Sequence, residues 1–202
     1  MQLYFSPASP FVRKVRVTAH ELGLSGRIEL TSVTLTPVSP HEAVRSSNPL
    51  GKIPALITDE GTALYDSPVI CEYLDALAGG NRIFPAPGPA RWTALRRQAL
   101  ADGMMDAAVL TRYEQAVRPK ELRWEAWVDG QLLKIRTALD ALELESLEGA
   151  FDIGTISIAC ALGYLDLRFA NEGWRKSRPR LGAWLAGLSQ RPSLAATVPA
   201  AT

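Results

Sequence analysis

The chain has 202 residues, and 47% of them are hydrophobic, which is enough to bury one or two compact cores. Its formal net charge at pH 7 is +1, so no strong charge attracts nucleic acid or an anionic membrane surface. The amino terminus lacks the basic and apolar regions of a signal peptide, and no apolar run approaches the ~20 residues of a membrane-spanning helix. We therefore expect a soluble, cytoplasmic protein.

The first 78 residues alternate between short strand patterns and helix patterns. The stretch 10–23 places its apolar side chains on one helical stripe, and the opposite face carries Arg13 and Lys14. The turn "DEG" between two strand patterns predicts a hairpin. The predicted strands are 2–5, 27–35, 54–58 and 62–65, and the predicted helices are 10–23, 41–47 and 67–78. The order βαβαββα indicates a small α/β sandwich.

A break in composition follows at "GGNRIFPAPGP", residues 79–89, in which six of eleven residues are Gly or Pro. Such a stretch continues neither a helix nor a strand, so it predicts a linker between domains 1–78 and 90–202. No strand pattern occurs beyond it. The predicted helices there are 89–117, 121–146, 153–170 and 178–190, which together indicate an all-α bundle.

Several kinds of chemistry have no counterpart in the sequence. His20 and His41 are the two histidines, and neither belongs to a metal-binding pattern or a hydrolase triad, so we expect no metal site. Cys71 and Cys160 lie in separate apolar helical patterns. This placement predicts reduced, buried thiols and not a disulfide.

Three short motifs carry the functional information: "SPASPF" at 6–11, "NPLGKIPAL" at 48–56 and "YDSPVICEYL" at 65–74. Together they resemble the cytosolic glutathione S-transferases, and the similarity extends over nearly the whole chain. It is greatest to bacterial members related to the zeta, theta and omega-like groups. The resemblance implies a thioredoxin-like first domain, an all-α second domain and a homodimer. Glutathione would be a co-substrate, with no tightly bound cofactor, and its thiolate would be conjugated to a small hydrophobic electrophile.

The resemblance also implies a catalytic residue, Ser9. The thiolate is the reactive form of glutathione, so the enzyme must lower the pKa of that thiol. "SPF" beginning at Ser9 resembles the omega-like "CPF" with serine in place of cysteine, which makes Ser9 a better match than Ser6. A serine would donate a hydrogen bond to the thiolate and would form no mixed disulfide. Tyr4 is an alternative by analogy with tyrosine-type classes, although its strand position favours a core role.

The glutathione contacts implied by the family follow from the other two motifs. The Ile53–Pro54 bond would be cis and would turn the backbone of Ile53 toward the cysteinyl part of glutathione. Ser67 is expected to be the N-cap of the following helix and to hold the γ-glutamyl carboxylate. Asp66 would meet the α-amino group, and Lys52 or His41 the glycine carboxylate. The implied glutathione-binding residues are Ser9, Phe11, His41, Lys52, Ile53, Pro54, Asp66 and Ser67.

The second domain would line the electrophile pocket with Met105, Arg112, Tyr113 and Tyr164, although core packing explains a methionine there equally well. In "FDIGT" the capping residues of the family are reversed, with Asp152 preceding Thr155. Two alternatives to transfer stay open. One is a non-catalytic glutathione- or ligand-binding module. The other is a glutathione-dependent isomerase, dehalogenase or peroxidase.

Overall fold

The computed structural model describes residues 1–200. Its amino-terminal part contains a four-stranded mixed sheet in the order β2-β1-β3-β4. β1 is parallel to β2 and antiparallel to β3, and β3 is antiparallel to β4. The strands are β1 Gln2–Phe5, β2 Glu29–Ser32, β3 Ala55–Ile57 and β4 Ala63–Leu64, and the helices are α1 Pro10–Glu21, α2 Glu42–Ser47 and α3 Ser67–Leu77. This thioredoxin-like arrangement confirms the predicted fold class, although the second strand is shorter than the pattern 27–35 predicted.

The second domain is helical. Its long helices are α4 Pro89–Ala116, α5 Glu125–Leu144 and α6 Ile153–Arg168, and the shorter ones are α7 Trp174–Ser177, α8 Pro179–Leu188 and α9 Pro192–Ala195. The last predicted helix corresponds to α8, whereas α7 and α9 were not predicted. Both have only four residues, too few to show an apolar periodicity.

Helix α6 is the centre of the helical core, and most of its length is buried. It packs mainly against α4, and Gly154 allows the two backbones to approach. A Cβ atom at this position would lie 2.7 Å from the Ala94 carbonyl oxygen and 2.7 Å from Arg97 Cβ. The start of α6 is closed by a capping box: Asp152 accepts from Thr155 N–H, and Thr155 Oγ1 accepts from Asp152 N–H at 2.9 Å. The reversed residue types therefore still make both capping bonds.

The predicted polar face of α1 is not exposed to solvent. Arg13 is 9% exposed and Lys14 is fully buried, because the helical domain covers this side of α1. Lys14 Nζ pairs with both carboxylate oxygens of Asp102 on α4, at 2.6 and 2.8 Å. Arg13 and Lys14 do lie opposite the apolar stripe, but local periodicity does not reveal that a second domain covers this face.

A C-terminal strap, residues 191–200, crosses back onto the first domain. Arg191 makes two hydrogen bonds with the carboxylate of Glu21, at 2.6 and 2.7 Å, and Ser193 donates to the same group. Arg16 reaches the Ala196 carbonyl at 3.5 Å, and the Ala200 N–H donates to the Pro7 carbonyl at 3.4 Å. The strap therefore follows α1 from its last turn to the loop before its first.

Cys71 and Cys160 are both buried free thiols, as predicted. Burial raises the pKa of Cys71 to about 12 and that of Cys160 to about 11, so neither is a reactive thiolate at neutral pH. No single helix within residues 1–200 has the length and apolar composition to cross a membrane. Helix α6 and the segment Ala170–Ser177 reach this length and apolar composition only when taken together, and the chain bends by 96° between them.

Candidate active site

The sheet topology brings the three motifs to one edge. β1 and β3 are antiparallel, with Tyr4 opposite Ala55, so the carboxyl end of β1 lies beside the amino end of β3. β4 is antiparallel to β3, with Leu56 opposite Leu64, so the carboxyl end of β4 lies there too. The loops 6–9, 52–54 and 65–66 therefore meet at this edge, where α1 and α3 begin.

Ser9 is the N-cap of α1. Its Oγ accepts a hydrogen bond from Val12 N–H at 3.3 Å, and its own N–H donates to the Ser6 carbonyl at 3.1 Å. A hydroxyl that accepts in this way keeps its proton for donation to another acceptor. Pro10 has no N–H, and no acceptor within residues 1–200 takes the N–H of Phe11. The first turn therefore offers two donors, one hydroxyl and one amide, to a group placed before it.

The Ile53–Pro54 peptide bond is cis. Ile53 stands outside the strand ladder, and its N–H and C=O take no part in the hydrogen bonds of residues 1–200. Asn48 holds the loop in place, because its side chain donates to the Lys52 carbonyl at 2.9 Å and accepts from Leu50 N–H at 3.0 Å. Asn48 is buried and was not among the predicted site residues, although the motif "NPLGK" contains it.

The start of α3 differs by one residue from the expectation. Asp66 is the N-cap, and Ser67, expected as the cap, is the first helical residue. The Tyr65–Asp66 peptide bond is also cis. The Ser67 hydroxyl is buried and has no hydrogen-bond partner within residues 1–200. Buried hydroxyls are almost always paired, so an unpaired one at a helix start marks a place where a polar ligand group fits.

His41 and Lys52 differ in environment. His41 precedes α2 and is half-buried, and its Nδ1 has no partner within residues 1–200. The Lys52 side chain is exposed.

Two carboxyl groups on α4, those of Asp102 and Asp106, were not among the predicted site residues. Burial raises the pKa of Asp102, against the opposing effect of Lys14, and the negative charge of Asp66 adds to the rise. Burial likewise raises the pKa of Asp106, which Lys52 partly offsets. Asp66 and Lys52 on the first domain therefore lie within electrostatic range of α4.

The predicted electrophile residues separate into two groups. Met105 is 1% exposed and belongs to the core. Arg112 and Tyr113 are half-buried, and Tyr164 is buried. Burial raises the pKa of Tyr164 to about 12, opposed mainly by the nearby positive charge of Arg168. Arg112 and Tyr113 also influence the pKa of this phenol, and Arg168, which was not predicted, follows Tyr164 by one turn of α6. Arg112, Tyr113, Tyr164 and Arg168 are named the electrophile cluster.

Two family models match the chain. The glutathione S-transferase N-terminal domain matches residues 3–82, and the glutathione S-transferase C-terminal domain matches residues 125–187. The chain belongs to the glutathione S-transferase family. A relative from Escherichia coli strain K12, named as an uncharacterized GST-like protein YibF, is 36% identical over 98% of both chains.

Solved structures of other glutathione S-transferase family members have the same fold. A family member from Pseudomonas fluorescens Pf-5 with bound glutathione is 53% identical over 99% of both chains, with a TM-score of 0.96. A glutathione S-transferase from Methylobacillus flagellatus KT with bound glutathione is 36% identical, covering 98% of this chain and 99% of that one, with a TM-score of 0.86. Glutathione is thus bound by two transferase-family proteins that resemble this one over nearly their full length.

Proposed function

We propose that this protein is a serine-type glutathione transferase that conjugates the thiolate of glutathione to a small hydrophobic electrophile. One observation carries the proposal: at the start of α1, Ser9 accepts from Val12 N–H and retains a proton to donate. The same edge of the sheet holds the unpaired backbone of Ile53 and the unpaired hydroxyl of Ser67. These groups match the polar parts of one extended tripeptide.

The proposed chemistry starts with ionisation of the bound thiol. The Ser9 hydroxyl and the Phe11 N–H would donate to the thiolate, and the positive end of α1 would favour its charge. Each of these interactions lowers the pKa of the thiol. The thiol proton passes to solvent, and the thiolate attacks the electrophilic carbon to form a carbon–sulfur bond. In a substitution the bond to the leaving group breaks and that group departs with the electron pair. In an addition the π bond breaks and the carbon that receives the electron pair takes a proton from solvent. Ser9 remains chemically unchanged.

The remaining groups would position glutathione. The N–H and C=O of Ile53 would pair with the cysteinyl residue of glutathione as a short strand. Ser67 and the start of α3 would bind the γ-glutamyl carboxylate, and Asp66 the α-amino group. Lys52 would bind the glycine carboxylate. His41 is a second candidate for that carboxylate, because its Nδ1 is buried without a partner in the described part of the chain.

The electrophile would bind against the cluster of Arg112, Tyr113, Tyr164 and Arg168. A second structure of the Pseudomonas family member, 51% identical to this chain, contains S-(propanoic acid)-glutathione. That molecule carries a short carboxylic acid on the sulfur, and two arginines suit such a group. We therefore include acrylate, which would give a propanoic acid conjugate, among the electrophiles to be tested.

The test compares Ser9→Ala with Ser6→Ala, which changes a serine in the same loop. Conjugation of an aryl halide and of acrylate is followed by kinetics, and glutathione binding by calorimetry. We expect Ser9→Ala to lose about a hundredfold in kcat/KM, as for removal of one preorganised donor, while glutathione still binds. Ser6→Ala should retain both properties. Wild-type rates in Ser9→Ala would refute the role of Ser9.

The same assays separate the alternatives. Glutathione binding without turnover on any electrophile would indicate a binding module. Turnover confined to maleyl compounds, haloalkanoates or hydroperoxides would indicate an isomerase, a dehalogenase or a peroxidase.

We also propose a cytoplasmic homodimer. Tyr65 and Val69 at the start of α3 and Trp92 on α4 are exposed apolar side chains. The ion pair between Arg91 and Glu72 joins the two helices that carry Val69 and Trp92. A two-fold pairing through these helices would bury the exposed side chains. Sedimentation equilibrium measures the association directly, and the two reduced cysteines suit a reducing compartment.

A further inference from the structure

The electrophile cluster contains two arginines that lack a counter-ion within residues 1–200. Arg112 on α4 is half-buried. Arg168 lies on the last turn of α6, and its Nε is buried without a partner in the described part of the chain. No carboxylate within residues 1–200 comes within 4.0 Å of either guanidinium. Because arginines stay charged in proteins, the cluster carries two uncompensated positive charges.

The acidic residues that are near the cluster in sequence are engaged elsewhere. Three of them form ion pairs with other arginines, at 2.6, 2.6 and 2.7 Å: Glu114 with Arg118, Asp166 with Arg175, and Glu172 with Arg136. A fourth, Asp106, is influenced by the positive charges of Lys52 and Lys14. The charge of the cluster is therefore that of its two arginines.

The packing of α4 and α6 places these residues at one end of the helix pair. The two helices touch near their starts, where Gly154 meets the backbone of α4. Farther along, Tyr164 lies within electrostatic range of Arg112 and Tyr113, so both helices run in the same direction. Arg168 follows Tyr164 by one turn on the same face of α6.

Two phenols add hydrogen-bond donors to these charges. Burial raises the pKa of Tyr113, and it raises the pKa of Tyr164 to about 12. Both phenols therefore keep their protons at neutral pH and can donate to an anion. Guanidinium groups match the planar geometry of a carboxylate, so this combination favours a carboxylate over other polar groups.

We propose that the electrophile is an α,β-unsaturated carboxylate, and that its carboxylate pairs with Arg112 and Arg168. This inference rests on the proposed transferase function and replaces its general hydrophobic electrophile with an anionic one. Such an anion accepts a thiolate poorly, because its negative charge repels the nucleophile and opposes further electron density. The two guanidinium groups offset this charge most strongly as more of it develops, so they raise the rate as well as the affinity.

The reaction is an addition. The sulfur of the thiolate forms a bond to the β-carbon, the carbon–carbon π bond breaks, and its electron pair moves to the α-carbon and the carboxylate. Arg112, Arg168 and the hydroxyl of Tyr164 stabilise this added charge. The α-carbon then takes a proton from solvent, which leaves a thioether with an intact carboxylate.

The kinetic test compares acrylate with acrylamide, a neutral analogue of the same size. For each compound, kcat/KM is divided by the rate constant of the uncatalysed reaction with glutathione, which gives its enhancement. We expect the enhancement of acrylate to exceed that of acrylamide by about a hundredfold. Arg112→Gln and Arg168→Gln should each lower this ratio by about tenfold, as for the loss of one charged hydrogen bond. The control Lys120→Gln removes an exposed charge just beyond α4 and should leave the ratio unchanged.

A binding measurement does not depend on turnover. By calorimetry, S-(2-carboxyethyl)glutathione should bind at least about tenfold more tightly than S-(2-carbamoylethyl)glutathione, and each of the two arginine variants should remove most of this preference. Equal enhancement or equal binding of acid and amide would overturn the inference, and so would unchanged ratios in both arginine variants. Conjugation of an aryl halide without any preference for acrylate would overturn the inference alone, whereas turnover of no electrophile at all would overturn the transferase function and the inference together.

Discussion

The buried ion pair between Lys14 and Asp102 should be a major determinant of stability. The Lys14 side chain is fully buried, whereas that of Asp102 is 18% exposed, and they belong to different domains. Removing one partner of a buried pair typically costs about 3–5 kcal/mol, because the other charge is left without compensation. Asp102→Leu leaves the fully buried ammonium of Lys14 unpaired, so its cost should lie near the upper end of this range. Lys14→Met leaves a carboxylate that water can reach, so it should cost less.

Urea unfolding followed by circular dichroism measures these losses. With a slope of about 2 kcal/mol per M, a loss of about 4 kcal/mol lowers the midpoint by about 2 M. The matched control is Arg27→Met, which breaks the exposed pair with Asp59, where the side chains are 51% and 47% exposed. Exposed pairs contribute about 0–1 kcal/mol, so its midpoint should hardly move.

The double variant Lys14→Met/Asp102→Leu decides whether the pair itself is responsible. Two apolar residues can replace a buried pair at little cost, so the double variant should be more stable than the sum of the two single losses predicts. The reasoning fails if the single losses add to within about 0.5 kcal/mol.

Two further predictions concern the strap and the α4–α6 contact. Burial alone would raise the pKa of Glu21, but hydrogen bonds from Arg191 and Ser193 outweigh it and hold the pKa below its usual 4.5. The carboxylate therefore stabilises the fold above pH 4.5, and this contribution is lost as the pH falls through the lower, folded-state pKa. Glu21→Gln should lower the free energy of unfolding by about 1–2 kcal/mol at pH 7 and by progressively less in acid. Urea unfolding at a series of pH values measures this loss, and a loss that is independent of pH would contradict the prediction. Gly154→Ala places a methyl group 2.7 Å from the Ala94 carbonyl oxygen and should lower the free energy of unfolding by about 1–3 kcal/mol. The control Gly187→Ala has open space around its methyl group and should not destabilise the protein. Equal melting temperatures of the two variants would contradict the close approach of α4 and α6.

The fold class followed from short-range patterns, because each long helix and each strand has its own apolar period. The burial of Arg13 and Lys14 could not be predicted from such patterns, because a charged residue on the far side of an amphipathic helix normally faces water. Only the packing of a second domain, distant in sequence, reverses that expectation. The C-terminal strap escaped prediction for a similar reason: α9 is four residues long, and its partners lie on α1.

The candidate site was predictable to the extent that motifs specify it. Ser9, Ile53–Pro54 and Ser67 stand within short, recognisable stretches, and the structure brings their loops to one edge of the sheet. Asp106 and Arg168 lie on helices without a motif. Asp106 comes near Lys52 only because the helical domain packs on the first, which local spacing does not determine. Arg168, by contrast, follows Tyr164 by one turn of the same helix, so its proximity to Tyr164 was predictable from their spacing.

The strap has a consequence for biosynthesis. The ribosome synthesises the sheet and α1 first. Lys14 can pair only after Asp102 has been synthesised, and Glu21 only after Arg191 and Ser193. The early domain therefore emerges with unmatched charges on the side of α1 that the helical domain later covers. These charge contacts are therefore completed in two stages, that of Lys14 once α4 has been made and that of Glu21 only when the C-terminal strap follows.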